Sequence, residues 1–341
     1  MDPLNPINLI QSGTATVAIL GGLLLWKKPE FRGIAALFFF TLVASLINIL
    51  EETGITRDIY LISPIFIMLF GPASYLAIKL FVEKSLPKGA LWHFAPVVPV
   101  LFFTTFTQEV IAIGTLWRLI YAGLIVHMLT QFQRTISQER SDADDYSLTW
   151  LVWIIIGLAL FNCVDLVRLN LQPYIPHQLN LIGQGLNNVV WLVACMIIIV
   201  KLVERNQLPA QTHQKAVVES TELPESFEGI YADLDAQIKD KQWYLTPRLT
   251  LSDLSELSGL QTRDISRAIN LHAKVSFNEY INQCRVAYFC EQLKQESPHT
   301  LTDLALASGF SSKASFNKVF KAVVGVTPSE YKQQIGTGSR L

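Results

Sequence analysis

The chain has 341 residues, of which 50% are hydrophobic and 16% charged, with a formal net charge of −1 and a mean hydropathy of +0.33. That is too apolar for an ordinary soluble protein and points to membrane spans. Four cysteines, with no CxxC pair and no Cys/His cluster of ligand spacing, exclude a disulfide framework and a zinc module; no metal and no cofactor is expected.

Residues 1–225 carry 14 Lys and Arg against 16 Asp and Glu, and residues 226–341 carry 13 against 12. A greasy block is therefore followed by a more densely charged one. Seven apolar segments are visible, at 7–26, 34–50, 59–82, 91–107, 110–132, 148–171 and 179–203. Most approach the ~20 residues that cross a hydrocarbon core. The second and fourth are short, and the fourth holds Pro96 and Pro99, tolerable where neighbouring helices satisfy the freed carbonyls.

The first segment is preceded by Asp2 and followed by Lys27, Lys28 and Arg32. It is expected to insert with its N-terminus outside and not to act as a signal peptide. The inner flanks then carry ten basic residues, Lys27, Lys28, Arg32, Lys79, Lys84, Lys88, Arg134, Arg140, Lys201 and Arg205, and the outer flanks only Arg57 and Arg168. This is a strong positive-inside bias. Seven crossings put everything after Val203 in the cytoplasm.

A charge inside a span costs at least about 2.5–3.5 kcal/mol on insertion scales. Arg118 falls about 12 Å, and Asp165 about 9 Å, from the outer ends of their segments at 1.5 Å per residue. Arg168, Asn162, Gln184, Asn187, Asn188, Glu51 and Glu52 share that outer half. Two readings stand: an outward cavity that takes a small ligand at Arg118, Asp165, Gln184, Asn187 and Asn188, or a structural network in which Arg118 pairs with Asp165 and the amides join helices.

Residues 206–225 are polar, contain two prolines and read as a flexible tether. Phe227, Ile230, Tyr231, Leu234 and Ile238 then recur at helical spacing. This stripe is either a short dimerising helix or a helix packed on the C-terminal domain.

From Leu249 to His272 the pattern is helix, glycine turn, helix. Thr250 or Ser252 caps the first helix, Gly259 turns the chain, and the second helix buries Ile265 and Ile269 while exposing Arg263, Ser266, Arg267 and Asn270. About fifty residues later the pattern recurs. Thr300 or Thr302 opens a helix, Gly309 turns, and Ser312 to Val323 presents Lys313, Ser315, Asn317 and Lys318. A long amphipathic helix from Phe277 to Gln295 joins the two units. Basic and amide residues on the second helix of such a unit can enter a major groove.

Ala307-Ser308-Gly309-Phe310, Ser315-Phe316, Phe320-Lys321 and Gly325-Val326-Thr327-Pro328-Ser329-Glu330-Tyr331 resemble the C-terminal signature of the AraC/XylS-type regulators. Leu249-Thr250-Leu251, Phe277-Asn278-Glu279-Tyr280-Ile281-Asn282 and Arg285 resemble that family's first unit and connecting helix. Gly71-Pro72, Tyr75-Leu76 and His93-Phe94-Ala95-Pro96 are similar to the multi-span sensor region of its membrane-bound branch. The resemblance implies base-reading roles for Arg263, Ser266 and Arg267 in the first unit, and for Lys313, Ser315, Asn317 and Lys318 in the second. Two positions depart from the pattern. Phe289 stands where a small residue is usual, and Lys318 replaces an arginine whose bidentate contact with guanine lysine cannot make.

The resulting expectation is an all-α protein, a seven-helix transmembrane bundle (1–205), a linker (206–225) and a cytoplasmic double helix-turn-helix domain (226–341). Its function would be that of a one-component transcription regulator in a bacterial inner membrane. Expected partners are promoter DNA, the lipid bilayer, a small-molecule ligand, a second copy of the chain and, for an activator, RNA polymerase. From Gln242 onward the excess of basic residues is only three, so one copy alone is expected to bind DNA weakly. No nucleophile–base motif, phosphate-cradling loop or metal cluster points to an enzyme. The competing reading is a transporter-like membrane protein with a regulatory helix-turn-helix domain; a helix-turn-helix that binds only protein is disfavoured by Arg263 and Arg267.

Overall fold

The computed structural model describes residues 6–55, 60–104, 106–204, 225–295 and 300–338. These fall into two compact units, one within Met1–Thr130 and Leu148–Gln211, the other within Gln131–Ser147 and Thr212–Leu341. The expected tether at 206–225 lies almost wholly outside the described residues.

The apolar runs of the first unit form helices α1 (Pro6–Trp26), α2 (Arg32–Glu52) and α3 (Ser63–Glu83), then α4 (Val97–Val100), α5 (Thr107–Glu139), α6 (Thr149–Leu171) and α7 (His177–Val203). Among the described residues six helices are long and apolar enough to cross a membrane. They leave large apolar side chains on their outer faces, such as Trp153, Leu160, Val164 and Ile182. An apolar exterior on this scale needs lipid or a partner to cover it. Gly21 and Gly22 of α1 lie against Ile199 and Phe39, the small-residue packing that lets such helices approach closely.

The fourth expected span is not a regular helix. A 3-10 turn at Ala90–Phe94 leads to the single α-helical turn of α4, because Pro96 and Pro99 lack the N–H groups that a continuous helix needs. The segment nevertheless runs back along α3. His93 stacks near Tyr75 at 5.4 Å, Val97 packs on Ile65 and Met68, and the Tyr60 hydroxyl donates to Leu101 O at 2.6 Å. Meanwhile Ile67 and Met68 of α3 pack on Gly114 of α5, and Gly71 on Tyr121. α3 and α5 are thus parallel neighbours, and the broken segment is the return stroke between them. A hydrogen bond of 2.8 Å between His93 Nδ1 and Tyr121 Oη secures its start.

The second unit contains α8 (Glu225–Asp240), α9 (Leu251–Ser258), α10 (Thr262–Ala268), α11 (Phe277–Lys294), α12 (Leu301–Ala307), α13 (Lys313–Val324) and α14 (Pro328–Gly338). Residues 131–147, expected within the membrane block, group with it. Thr250 and Ser276 each form a reciprocal capping box, with Asp253 and Glu279, and Thr300 caps α12. Each such cap is worth about 0.5–2 kcal/mol. The stripe on α8 is spent inside the unit: Phe227, Leu234 and Ile238 are buried, and the latter two join a core with Leu251, Leu254, Ile265 and Ile281. The packed-helix reading of α8 therefore holds over the dimerising one.

A second core contains Val286, Leu304, Phe310, Phe316 and Phe320 around Phe289. Phe289 is fully buried and stacks against Phe316 and Phe320 at 4.6 and 5.4 Å; the large ring at this departure from the family pattern has a made pocket. α11 contributes to both cores and so couples the two helix-turn-helix units.

Gly259 and Gly309 both take positive φ, 76° and 90°, a conformation that costs other residues about 1–2 kcal/mol. Their surroundings differ. A Cβ at Gly259 would meet nothing within 4 Å, whereas one at Gly309 would lie 2.7 Å from Tyr244 O and 2.8 Å from Leu245 O. We expect Gly309→Ala to cost at least about 1 kcal/mol more than Gly259→Ala. Pulse proteolysis in a urea series on the solubilised protein checks the order; equal costs would contradict it.

Candidate DNA interface and polar cavity

The second unit is organised around Arg285 on α11, whose side chain is buried. Its Nε donates to Tyr244 O at 2.7 Å, and Nη2 donates to Thr246 O at 2.9 Å and Ser141 Oγ at 3.0 Å. Nη1 donates to Asn282 Oδ1 at 3.1 Å. Burial pushes the guanidinium down to about 10, opposed by the charge of Asp142, so it stays protonated at neutral pH. Five acceptors replace its lost water. One of its anchors, Ser141, lies in the loop between α5 and α6. The Ser141 amide donates to Leu249 O at 2.9 Å, and its carbonyl accepts from Asn278 Nδ2 at 2.8 Å.

In the first helix-turn-helix unit, α10 presents Arg263 to solvent, with Nε 3.4 Å from Asp264 Oδ1. Ser266 is half-buried and its hydroxyl accepts from Asn270 at 3.4 Å. Arg267 is also half-buried, its guanidinium lying 4.9 Å from the Phe227 ring centroid. α10 itself is seven residues long and ends in a π-turn at Ile269–Ala273.

In the second unit, α13 exposes Lys313, Asn317 and Lys318. Ser315 requires correction. It is only 7% exposed because it shares the inner face of α13 with Phe316, Val319 and Phe320, and its role is to donate its amide to the capping Ser312 Oγ at 3.1 Å. Lys318 Nζ lies 2.6 Å from Asp144 Oδ1. Ser311 and Ser312 donate to the two oxygens of Asp145 at 2.5 and 3.2 Å. The sequence reading passed over Asp144 and Asp145. Their signal was visible: an acidic run on an inner loop that the positive-inside rule would fill with lysine or arginine.

Within the first unit, a cavity of about 400 Å³ brings Arg118, Asp165, Gln184, Asn187 and Asn188 together. It opens among the ends of α2 and α6 and the starts of α3 and α7. The expected Arg118–Asp165 pair is replaced by a closer one: Arg168 Nε lies 2.7 Å from Asp165 Oδ1, one helical turn away, and Arg168 also donates to Asn180. Asn187 donates to Asp165 at 3.1 Å, Gln184 to Glu52 at 3.2 Å, and Gln11 to Asn188 at 2.9 Å. Glu51 is consumed locally, accepting from the Ile62 and Ser63 amides at 2.6 and 2.9 Å. Arg118 Nε, Asn187 Oδ1 and Asn188 Nδ2 are buried without a hydrogen-bond partner. Arg118 and Asn162 also line a second, apolar cavity of about 130 Å³, so the polar lining stops at their level. Among the described residues no group of His, Cys, Asp and Glu could hold a metal ion.

Two helix–turn–helix units joined by one long helix, each with basic residues on its outer helix, define a DNA-binding module. Residues 254–334 match the helix-turn-helix domain family. An uncharacterized HTH-type transcriptional regulator of Staphylococcus aureus strain COL is 36% identical over 84 residues, which is 25% of this chain and 11% of that one. The HTH-type transcriptional activator AarP of Providencia stuartii is 33% identical over 88 residues, 26% of this chain and 64% of its own. A solved protein of unknown function from Listeria innocua is similar over 30% of this chain and 95% of its own, at 25% identity and a TM-score of 0.28. The chain thus spans about a tenth of the staphylococcal relatives. Its C-terminal part is an AraC-type helix-turn-helix domain.

Arg285→Met keeps most of the volume and removes all five donors. We expect a loss of at least about 2 kcal/mol, since buried carbonyls are left unpaired. Hydrogen exchange checks it directly: protection at the Ser141 amide and around Tyr244–Thr246 should fall together. Retained protection at both places would show that the guanidinium does not hold them.

Proposed function

We propose that the protein is a membrane-bound one-component transcription regulator, with its N-terminus outside the inner membrane and its DNA-binding domain in the cytoplasm. The observation that carries this reading is the presence, on one chain, of six helices apolar enough to span and an AraC-type domain. The charge asymmetry of the loops supports the orientation, and the broken return segment keeps the number of crossings odd. Arg263, Ser266 and Arg267 are the reading residues of the first head, and Lys313, Asn317 and Lys318 those of the second. Promoter DNA and lipid are the partners this reading requires.

The signal enters at the polar cavity. Its unpartnered Arg118 Nε, Asn187 Oδ1 and Asn188 Nδ2 ask for a small molecule that offers both an acceptor, best an anion, and a donor. A transporter would continue its polar lining through the bundle, whereas here the apolar cavity lies beyond Arg118 and Asn162.

Genome-wide mapping of crosslinked DNA tests the regulator. Discrete promoter peaks are expected, and Arg263→Ala should weaken binding to the mapped site by about 1–3 kcal/mol, the worth of a good base contact. Uniform DNA coverage, unchanged by the substitution, would refute sequence reading. Reporter fusions active only outside the inner membrane should work at position 55 and fail at position 215.

For the cavity, small carboxylates and zwitterions are screened by thermal shift on the solubilised protein. A compound that raises the Tm of the wild type should lose that effect in Asn187→Leu. Full retention in Asn187→Leu, Gln184→Leu and Asn188→Leu would leave these amides as structural glue.

A further inference from the structure

The α5–α6 loop sits on the DNA-binding module in the place a phosphate backbone would take, and we propose that it is a built-in competitor for DNA. This rests on the DNA-binding reading above. Three contacts define it. The Asp144 carboxylate meets Lys318, an exposed cation of the second reading helix, at 2.6 Å. The Asp145 carboxylate accepts from both Ser311 and Ser312, and Ser312 is the residue that caps α13. A carboxylate at a helix start, held by hydroxyls and flanked by a lysine, takes up the donors that would otherwise fix a DNA phosphate.

The seating is not incidental. Ser141, three residues before Asp144, is buried and tied to Leu249, Asn278 and Arg285. Arg140 and Thr250 form an isolated antiparallel bridge, and Arg140 clasps Asp142 through two hydrogen bonds of 2.8 and 3.1 Å. Ser137 bonds to Ser276 at 3.1 Å. The acidic tip is therefore delivered to α13 by a loop fixed at its base.

Charge complementarity agrees. Residues 131–147 carry Arg134 and Arg140 against Glu139, Asp142, Asp144 and Asp145. The module from Gln242 onward has a basic excess of three, so the docked loop cancels most of the field that would attract DNA. While the tip is in place the second head cannot offer Lys318, Ser311 or Ser312 to a phosphate. Its release uncovers all three together. α5 and α6 are the helices that the loop joins, and α6 carries Asp165 and Arg168 of the polar cavity. A ligand that changes how α6 packs therefore acts on the loop through covalent chain.

The test uses the full-length protein in lipid nanodiscs and a non-specific DNA duplex over a salt series. Asp144→Asn combined with Asp145→Asn should raise affinity about tenfold or more at low salt. It should also steepen the dependence on log salt by about one, since on a non-specific duplex Lys318 meets a phosphate and no matched base. Unchanged or weaker binding would overturn the proposal. A second variant keeps the answer independent of folding: Ser311→Cys with Asp145→Cys, two short side chains already in contact, oxidised to close a disulfide and then reduced. The oxidised form should bind DNA at least tenfold more weakly than the same sample after reduction. Equal binding of the two forms would reject the competitor. Failure of every form to bind DNA would remove the DNA-binding reading and the competitor with it.

Discussion

A guanidinium buried among backbone carbonyls is the constraint on which the C-terminal body depends. Taking a charge out of water costs several kcal/mol even after relaxation, and no carboxylate lies within direct reach of Arg285. The compensation is geometric. Tyr244 O, Thr246 O, Asn282 Oδ1 and two oxygens of Ser141 converge on one planar group, from three stretches of chain. The same side chain lies 5.7 Å from the Phe310 ring centroid, beside the turn at Gly309, which packs against Tyr244 and Leu245. The first helix-turn-helix unit, the connecting helix, the second turn and the α5–α6 loop thus share one anchor. Losing any one leaves a buried charge short of acceptors, and that shared penalty makes the arrangement cooperative.

The N-terminal apolar unit solves the same problem differently. Its polar groups gather around one cavity, where each carboxylate has found work: Asp165 with Arg168 and Asn187, Glu52 with Gln184, Glu51 with two amides at the start of α3. Among the described residues that line this cavity, what remains unmatched is one donor on Arg118 and two amide atoms. A purely structural network in hydrocarbon would be driven to satisfy these. Their persistence at the edge of a 400 Å³ space is the physical ground for assigning them to a ligand.

The helix-turn-helix units were legible because they are local. Capping residues, glycine at the turns and the spacing of Leu251, Leu254, Ile265 and Phe316 are decided within a dozen residues. The gathering of Arg118, Asp165, Gln184, Asn187 and Asn188 at one cavity was legible too, since shared height on neighbouring helices follows from the rise per residue. Three features were not. Arg168 took Asp165 from Arg118 because an i,i+3 neighbour on the same helix is closer than a partner on another. Ser315 turned inward because the 3.6-residue period places it with Phe316 and Phe320 and against Ser312. Lastly, the docking of 131–147 depends on contacts more than a hundred residues apart, which no local pattern records.

That docking also changes how a signal can travel. If 206–225 is the tether that its composition suggests, a chain connected only there would have to signal by altering how often two DNA-binding domains meet. The α5–α6 loop is a second connection, and it contains no tether. α5 runs without a break from Thr107 to Glu139, and Ser141, two residues later, is already bonded to Arg285. Withdrawing the loop takes both Ser141 oxygens from the buried guanidinium at once, which leaves its donors short of acceptors. On the proposed reading, a ligand that prefers one packing of α6 biases that contact only by its differential affinity for the two packings.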